Sequence, residues 1–215
     1  MTWVTSWAAG GHGGQPMYNQ FYETCYVGCG PVAWAMLLGW ADRRAAAGDP
    51  MWAGRWGIYR QGGGYGADAV APISQDAGVD AVIREIRGYV GTFCSFGSGA
   101  TFPWSMGGAY RYLTGRSYVG MQTHWNSLGI HEGWIKDWAA QSIQGRGVPA
   151  IIGTGWLSHY PVAYGYAWER RIVRTCAIWC WDTVTYCDWF YVNQGWGGYG
   201  NEWIAASTWF AGSIF

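Results

Sequence analysis

Gly28-Cys29-Gly30-Pro31-Val32-Ala33-Trp34-Ala35-Met36-Leu37-Leu38 is the stretch on which the reading of this chain turns. A cysteine stands directly before a run of good helix formers. Pro31 falls in what would be the first turn, where a missing N–H costs nothing. The pattern predicts a helix over 30–47 that stops at Ala45-Ala46-Ala47-Gly48-Asp49-Pro50. It is apolar nearly all round, so it should be buried. The thiol of Cys29 then lies at a helix N-terminus, where the dipole and the unpaired N–H groups favour an anion. A free thiol near pKa ~8.5 is only a few per cent thiolate at pH 7, and this placement should raise that fraction.

A nucleophile of this kind needs a base and a group to orient the base. Downstream come Ser158-His159-Tyr160-Pro161-Val162-Ala163-Tyr164-Gly165-Tyr166 and Phe190-Tyr191-Val192-Asn193-Gln194-Gly195-Trp196-Gly197-Gly198. Both read as short strands of β-branched and aromatic residues with one polar residue at an end. His159 could take the thiol proton, and Asn193 could hold the other ring nitrogen. That is the logic of nucleophile, base and orienter, with Asn in place of Asp. Trp196 either shields the His159–Asn193 bond from water or simply packs the core.

With these motifs in this order, the chain resembles the papain-like cysteine peptidases. The resemblance is greatest to the streptopain-like group and to relatives with a Cys-Gly-Pro nucleophile motif, such as the bacteriocin-processing peptidases. Cys29 to His159 spans 130 residues, inside the roughly 130–150 residues usual between these two groups. Asn193 follows Cys29 by 164 residues, and the excess points to a longer hairpin between His159 and Asn193. Ala100-Thr101-Phe102-Pro103-Trp104-Ser105-Met106 with Tyr110-Arg111-Tyr112-Leu113 is similar to a middle helix of the streptopain group. Gly147-Val148-Pro149-Ala150-Ile151-Ile152-Gly153 is similar to the strand before the histidine.

The resemblance implies one catalytic domain over 1–215, α+β and two-lobed. A mainly helical lobe over about 1–147 holds the buried nucleophile helix, and a mainly antiparallel β lobe covers about 148–215. It implies hydrolysis of a peptide bond through a thioester, with no cofactor and no metal. It also implies a peptide or protein substrate, a pro-segment or inhibitor as partner, and a secreted monomer. The family places a Gln shortly before the nucleophile to hold the oxyanion together with the cysteine's own N–H. The familiar spacing falls on Glu23, a poor donor when ionised. Gln20 is favoured if Cys25 through Gly28 loop out, and Gln15 lies further back.

Composition narrows the function classes. Only 12% of residues are charged, and 13 basic residues balance 13 acidic ones. That argues against a nucleic-acid partner, which needs a basic surplus. Aromatics make up 19%, with 18 Trp, so some must be exposed; they either pack the surface or line a groove for peptide or carbohydrate. The longest apolar run, Val32 to Ala41, is about half the length of a membrane span, so no membrane partner is expected. No signal peptide is visible at Met1.

Of the six cysteines, five remain beside Cys29. Cys25 could pair with Cys94, and a bond within the group Cys176, Cys180 and Cys187 is plausible, with at least one thiol left over. A Cys25–Cys29 bond would silence the nucleophile. The Cys-x3-Cys spacings do not match a zinc ribbon. His12, His124 and His131 read as structural or solvated. Gly62-Gly63-Gly64-Tyr65-Gly66 reads as a turn and Asp182 as a hairpin turn residue.

Elsewhere, Asp76 to Tyr89 has Val79, Val82, Ile83 and Ile86 at helical spacing. Further helices are expected over 105–114 and 131–144. Strands are expected over 149–154, 160–168, roughly 171–180, 184–193 and 202–206, with residues 1–28 an extended arm and 51–66 a loop. Two other functions use the same residues or none of them. One is an amidase or acyl transferase, transglutaminase- or ligase-like. The other is an inactive aromatic-rich protein that binds glycans or peptides.

Overall fold

The computed structural model describes residues 3–8, 14–52, 70–114, 119–126, 132–155, 159–205 and 208–215. His12, His131, the Gly62–Gly66 run and most of the 51–66 loop lie outside them. Helix α1 (Cys29–Ala46) is the central element, and every residue from Gly30 to Asp42 is buried. Trp34, Met36, Leu37 and Leu38 are fully covered, each contributing about 1.5–3 kcal/mol by leaving water. Helix α2 (Ala77–Tyr89) begins at Asp76, whose carboxylate accepts the Val79 N–H. Its buried face is Val79, Val82, Ile83 and Ile86, the expected stripe, and it packs on α1.

A two-stranded hairpin follows, β2 (Phe93–Ser95) with β3 (Ser98–Ala100). The helix expected over 105–114 is a 3-10 turn, Pro103–Ala109, running into a short α3 (Tyr110–Leu113). Gly107 and Gly108 favour the tighter winding by weakening α-helix here.

The main sheet is antiparallel, so the fold is α+β. Among the described residues it has seven strands, with β1 (Trp3–Ala8), β4 (Met121–Trp125), β5 (Ala150–Gly153), β6 (Val162–Cys176), β7 (Cys180–Asn193), β8 (Glu202–Ile204) and β9 (Phe210–Ile214). The order is β4-β9-β5-β6-β7-β8, and β1 lies along β6 from Gly165 to Glu169. Helix α4 (Glu132–Arg146) covers one face and α1 the other. The division expected near residue 147 therefore separates helices from sheet only in part, since β1 and β4 join the same sheet and α4 packs on it.

Strand alternation sorts the core into two layers. Ile151 and Val162 face the α1 side, whereas Ala150, Ile152 and Ala163 face α4. Between Ala163 and Gly165 the β6–β7 register slips by one residue. Tyr164 is the extra residue of this bulge. It joins the α1 layer, and after it Tyr166 returns to the α4 layer beside Phe190. The two strands expected over 160–168 and 171–180 are the single strand β6. The gap expected at Glu169 and Arg170 is absent, since the ladder continues through them.

The disulfides are Cys25–Cys94 and Cys176–Cys180, leaving Cys29 and Cys187 free. No helix among the described residues is long and apolar enough to cross a membrane.

Candidate active site

Cys29 is the first residue of α1. The N-cap, Gly28, sits at φ 95 and contributes no side-chain bond. Only glycine adopts that φ freely, and a Cβ there would also stand 3.0 Å from the Gly99 carbonyl oxygen. The first-turn N–H groups, usually satisfied by a capping side chain, are thus free to face the nucleophile. The backbone amides of Cys29 and Gly30 lie close to the sulfur, and so does that of Tyr160 from the other side of the site. All three favour the thiolate. Burial opposes them and is the larger effect, so the Cys29 thiol is pushed up from its ordinary value. The thiolate enrichment expected from the helix start alone is thereby reversed at rest.

Tyr160, next to His159 in the chain, stands at the head of α1. Tyr160 is anchored there, its hydroxyl donating to the Thr101 carbonyl at 3.0 Å. Thr101 in turn presses on Gly30, where a Cβ would meet its Oγ1 at 3.0 Å. His159 pairs with Thr154 and its ring lies on Trp196, centroids 5.6 Å apart and 26° between planes. Its Nε2 is buried with no hydrogen-bond partner. Burial lowers the His159 pKa below its ordinary value, against the side-chain and backbone carbonyl oxygens of Gln194, which as acceptors raise it.

The structure does not bring Asn193 to His159 as its hydrogen-bond partner. Asn193 is the last residue of β7, opposite Val162. Its amide donates to the Pro16 carbonyl at 3.1 Å and its oxygen accepts the Gly195 N–H at 2.9 Å. It pins the turn that carries Gln194 and Trp196. Gln194, also buried, is the residue beside His159, and sequence reasoning did not single it out. It stands in the same motif one residue on, and the backbone leaves the strand between the two.

Gln20 lies one residue beyond Asn19, which bridges to Trp196. The loop-out this reading needs is present, but it spans 22–26 rather than 25–28. The Val27 N–H donates to the Phe21 carbonyl at 3.0 Å, Tyr22 bridges Tyr26, and Cys25 is tied to Cys94. Chain from Phe21 therefore passes almost directly to Val27 and Cys29.

Glu23 is in the loop, paired with Arg84 and Arg87. Gln15 is buried with an unpartnered Nε2. It follows Gly14, whose carbonyl accepts from Arg43. Arg43 lies fourteen residues along the helix from Cys29, roughly 20 Å, so Gln15 belongs to the other end of α1.

Two other histidine and carboxylate candidates lie elsewhere. His124 sits on β4 between Trp134 and Trp138, with centroids at 5.1 and 4.7 Å, and burial lowers its pKa. Asp182 faces Arg174 on the distal part of the β6–β7 hairpin. No cluster of His, Cys, Asp or Glu able to hold a metal occurs among the described residues. Beside Thr101 begins a row of half-exposed rings, Phe93, Phe102, Trp104 and Trp125, with successive centroids at 5.0, 4.5 and 5.7 Å.

The sequence matches no protein-family model, and no curated protein matches it. One solved structure, of the Prevotella intermedia prointerpain A fragment, is similar at a TM-score of 0.48 and 14% identity, covering 94% of this chain and 69% of that one. A likeness of that size carries no argument.

Proposed function

We propose that this chain is a cysteine peptidase that hydrolyses peptide bonds through a thioester on Cys29, within the papain-like group its motifs resemble. The observation that carries the reading is the placement of Tyr160 at the head of α1, its hydroxyl on the carbonyl of Thr101, which itself packs on Gly30 beside Cys29. It sets the residue after His159 against the nucleophile, while His159 keeps a buried, unpartnered Nε2. Because burial raises the thiol and lowers the imidazole, the resting pair is neutral. His159 then works as a general base. It takes the thiol proton as sulfur attacks the carbonyl carbon, and it returns that proton to the leaving amine. Water clears the thioester by the same route.

In this scheme Gln194 is the orienter of His159. Asn193 is a positioning residue that holds the turn bearing Gln194 and Trp196. The Gln20 amide and the Cys29 N–H stabilise the oxyanion. Substrate is a peptide or protein whose apolar side chains meet the ring row from Phe93 to Trp125. Phe102 and Trp104 stack face to face, 9° apart, which leaves ring edges rather than open faces and suits apolar side chains better than sugar rings. The two disulfides fit an oxidising, extracellular setting.

Cleavage of an unfolded protein substrate, followed by mass spectrometry, tests this. Wild type yields fragments whose masses include the added water, and Cys29→Ala yields none. Fragments carrying an added amine would move the reading to an acyl transferase. Full turnover by Cys29→Ala would end it. The raised thiol pKa also fits a second reading, a binding protein with an inert Cys29. In that case His159→Ala leaves the rate of Cys29 alkylation unchanged, whereas the peptidase reading expects it to slow.

A further inference from the structure

The distal part of the β6–β7 hairpin has no task in the site described above. Among the described residues, β1 ends its pairing opposite Glu169 and β8 reaches only to Phe190. From Arg170 to Tyr186 the two strands run on with only each other, exposed on both faces. A bare two-stranded ribbon is marginal in water, and this one is closed by Cys176–Cys180, directly paired in the ladder. At its apex, Ile178 is 90% and Trp179 80% exposed, with Trp181 half-exposed behind them. Isolated exposed apolar residues are ordinary, but a contiguous set crowning a protrusion points to a contact. The arm's basic residues are Arg170, Arg171 and Arg174; Arg174 pairs with Asp182 across the arm, and Arg171 reaches back to Glu169 at its base.

We propose that this arm docks the protein on an anionic lipid surface, apex first, with Ile178 and Trp179 entering the boundary between headgroups and acyl chains. The apex is convex, so a protein partner would have to supply a matching pocket, whereas a bilayer yields around it. Trp is a residue type favoured at that boundary. The depth is consistent. Arg174 stands four residues behind Ile178, roughly 10–13 Å at strand rise, and interfacial elements enter about 5–10 Å. The apex therefore seats before the Arg174–Asp182 pair reaches hydrocarbon, which charges resist.

Arg170, together with the exposed Arg171 and Arg174, which can exchange Glu169 and Asp182 for phosphate, complements anionic headgroups and makes the contact salt-sensitive. The sequence argued against a membrane partner only because it lacks a long apolar helix, and a surface contact needs none.

Co-sedimentation of the full chain with phosphatidylcholine vesicles, with and without phosphatidylglycerol, at low and high salt, decides the matter. The expected result is binding that requires phosphatidylglycerol, weakens with salt, and falls by about tenfold or more in the Ile178→Ser, Trp179→Ser double variant. The Arg170→Gln, Arg171→Gln, Arg174→Gln triple variant should lose the salt dependence. Unchanged melting and Cys29 alkylation in these variants shows that the body is intact. No partition of wild type overturns the proposal, as does equal partition of the double variant. If wild type ignores vesicles but forms a dimer that the double variant abolishes, the occupant is a second copy and the lipid proposal is wrong.

Discussion

The β6–β7 hairpin is one continuous ladder that behaves as two materials. Its base, from Val162 to Trp168 and from Asp188 to Asn193, is layered between α1 and α4, and its β7 end positions the turn against His159. Its distal arm has the same pairing and strand-forming residues but no third layer. The difference shows that here β-propensity and hydrogen bonding set the shape, while burial on both faces sets the stability.

The sharpest way to break the comparison is to truncate one aromatic in each half. Phe190→Ala, in the base, should cost about 3–5 kcal/mol as a fully buried ring is lost. Tyr186→Ala, in the arm, should stay within about 0.5 kcal/mol. Urea denaturation midpoints at constant slope would show it, and similar losses at both sites would mean the arm is covered in solution.

The disulfides extend the contrast. Cys25 and Cys94 are 69 residues apart, so replacing both with Ser should cost about 4 kcal/mol by loop-closure entropy. Cys176 and Cys180 are 4 apart, worth about 2 kcal/mol on the same scale. That loss should appear as faster amide exchange confined to the arm, with the melting of the body unmoved.

Within the base, neighbours should part company. Gln194→Ala should lower kcat on the order of 10²-fold with KM nearly unchanged. It should also move the acid limb of the pH–rate profile lower, because a contact that raises the His159 pKa is gone. Asn193→Ala should instead cost stability, about 1–3 kcal/mol, by leaving the Pro16 carbonyl and the Gly195 N–H unpaired. A kinetic loss at Asn193 with a normal pH profile at Gln194 would reverse the two roles.

The smallest effect is in the pH dependence of stability. His159 is lowered in the fold, so the unfolded chain binds more protons once pH drops through about 6.5, and stability falls with acid. Cys29 is raised, so the fold retains a proton the unfolded chain loses near pH 8.5, and stability falls as pH rises past that point. Denaturation profiles should show a shelf between those values. Cys29→Ser should remove its alkaline edge, and His159→Ala its acid edge.

Much of this was legible in the chain. The α1 and α2 helices follow from apolar runs with clear stops. The strands β1, β4 and β9 escaped notice because each is short and its meaning lies in partners distant in sequence: β4 pairs with β9, and β1 with β6. That the Asn193 side chain turns to Pro16 escaped for a different reason. Period-2 alternation ends where a strand becomes a turn, and the Asn193 bond to Pro16 joins residues that sequence proximity could never associate. The loop-out before Cys29 was anticipated in kind but misplaced, since its boundaries are set by the Cys25–Cys94 bond.

The bulge at Tyr164 acts as a change of phase in β6. Upstream of it the strand keeps time with the cleft and downstream with α4, so the His159 end and the arm are set by separate clocks. Paired lengthening or shortening of the arm adds or removes rungs beyond the point where the phase is reset. The chain can therefore vary the reach of its most exposed contact without retiming the residues around Cys29.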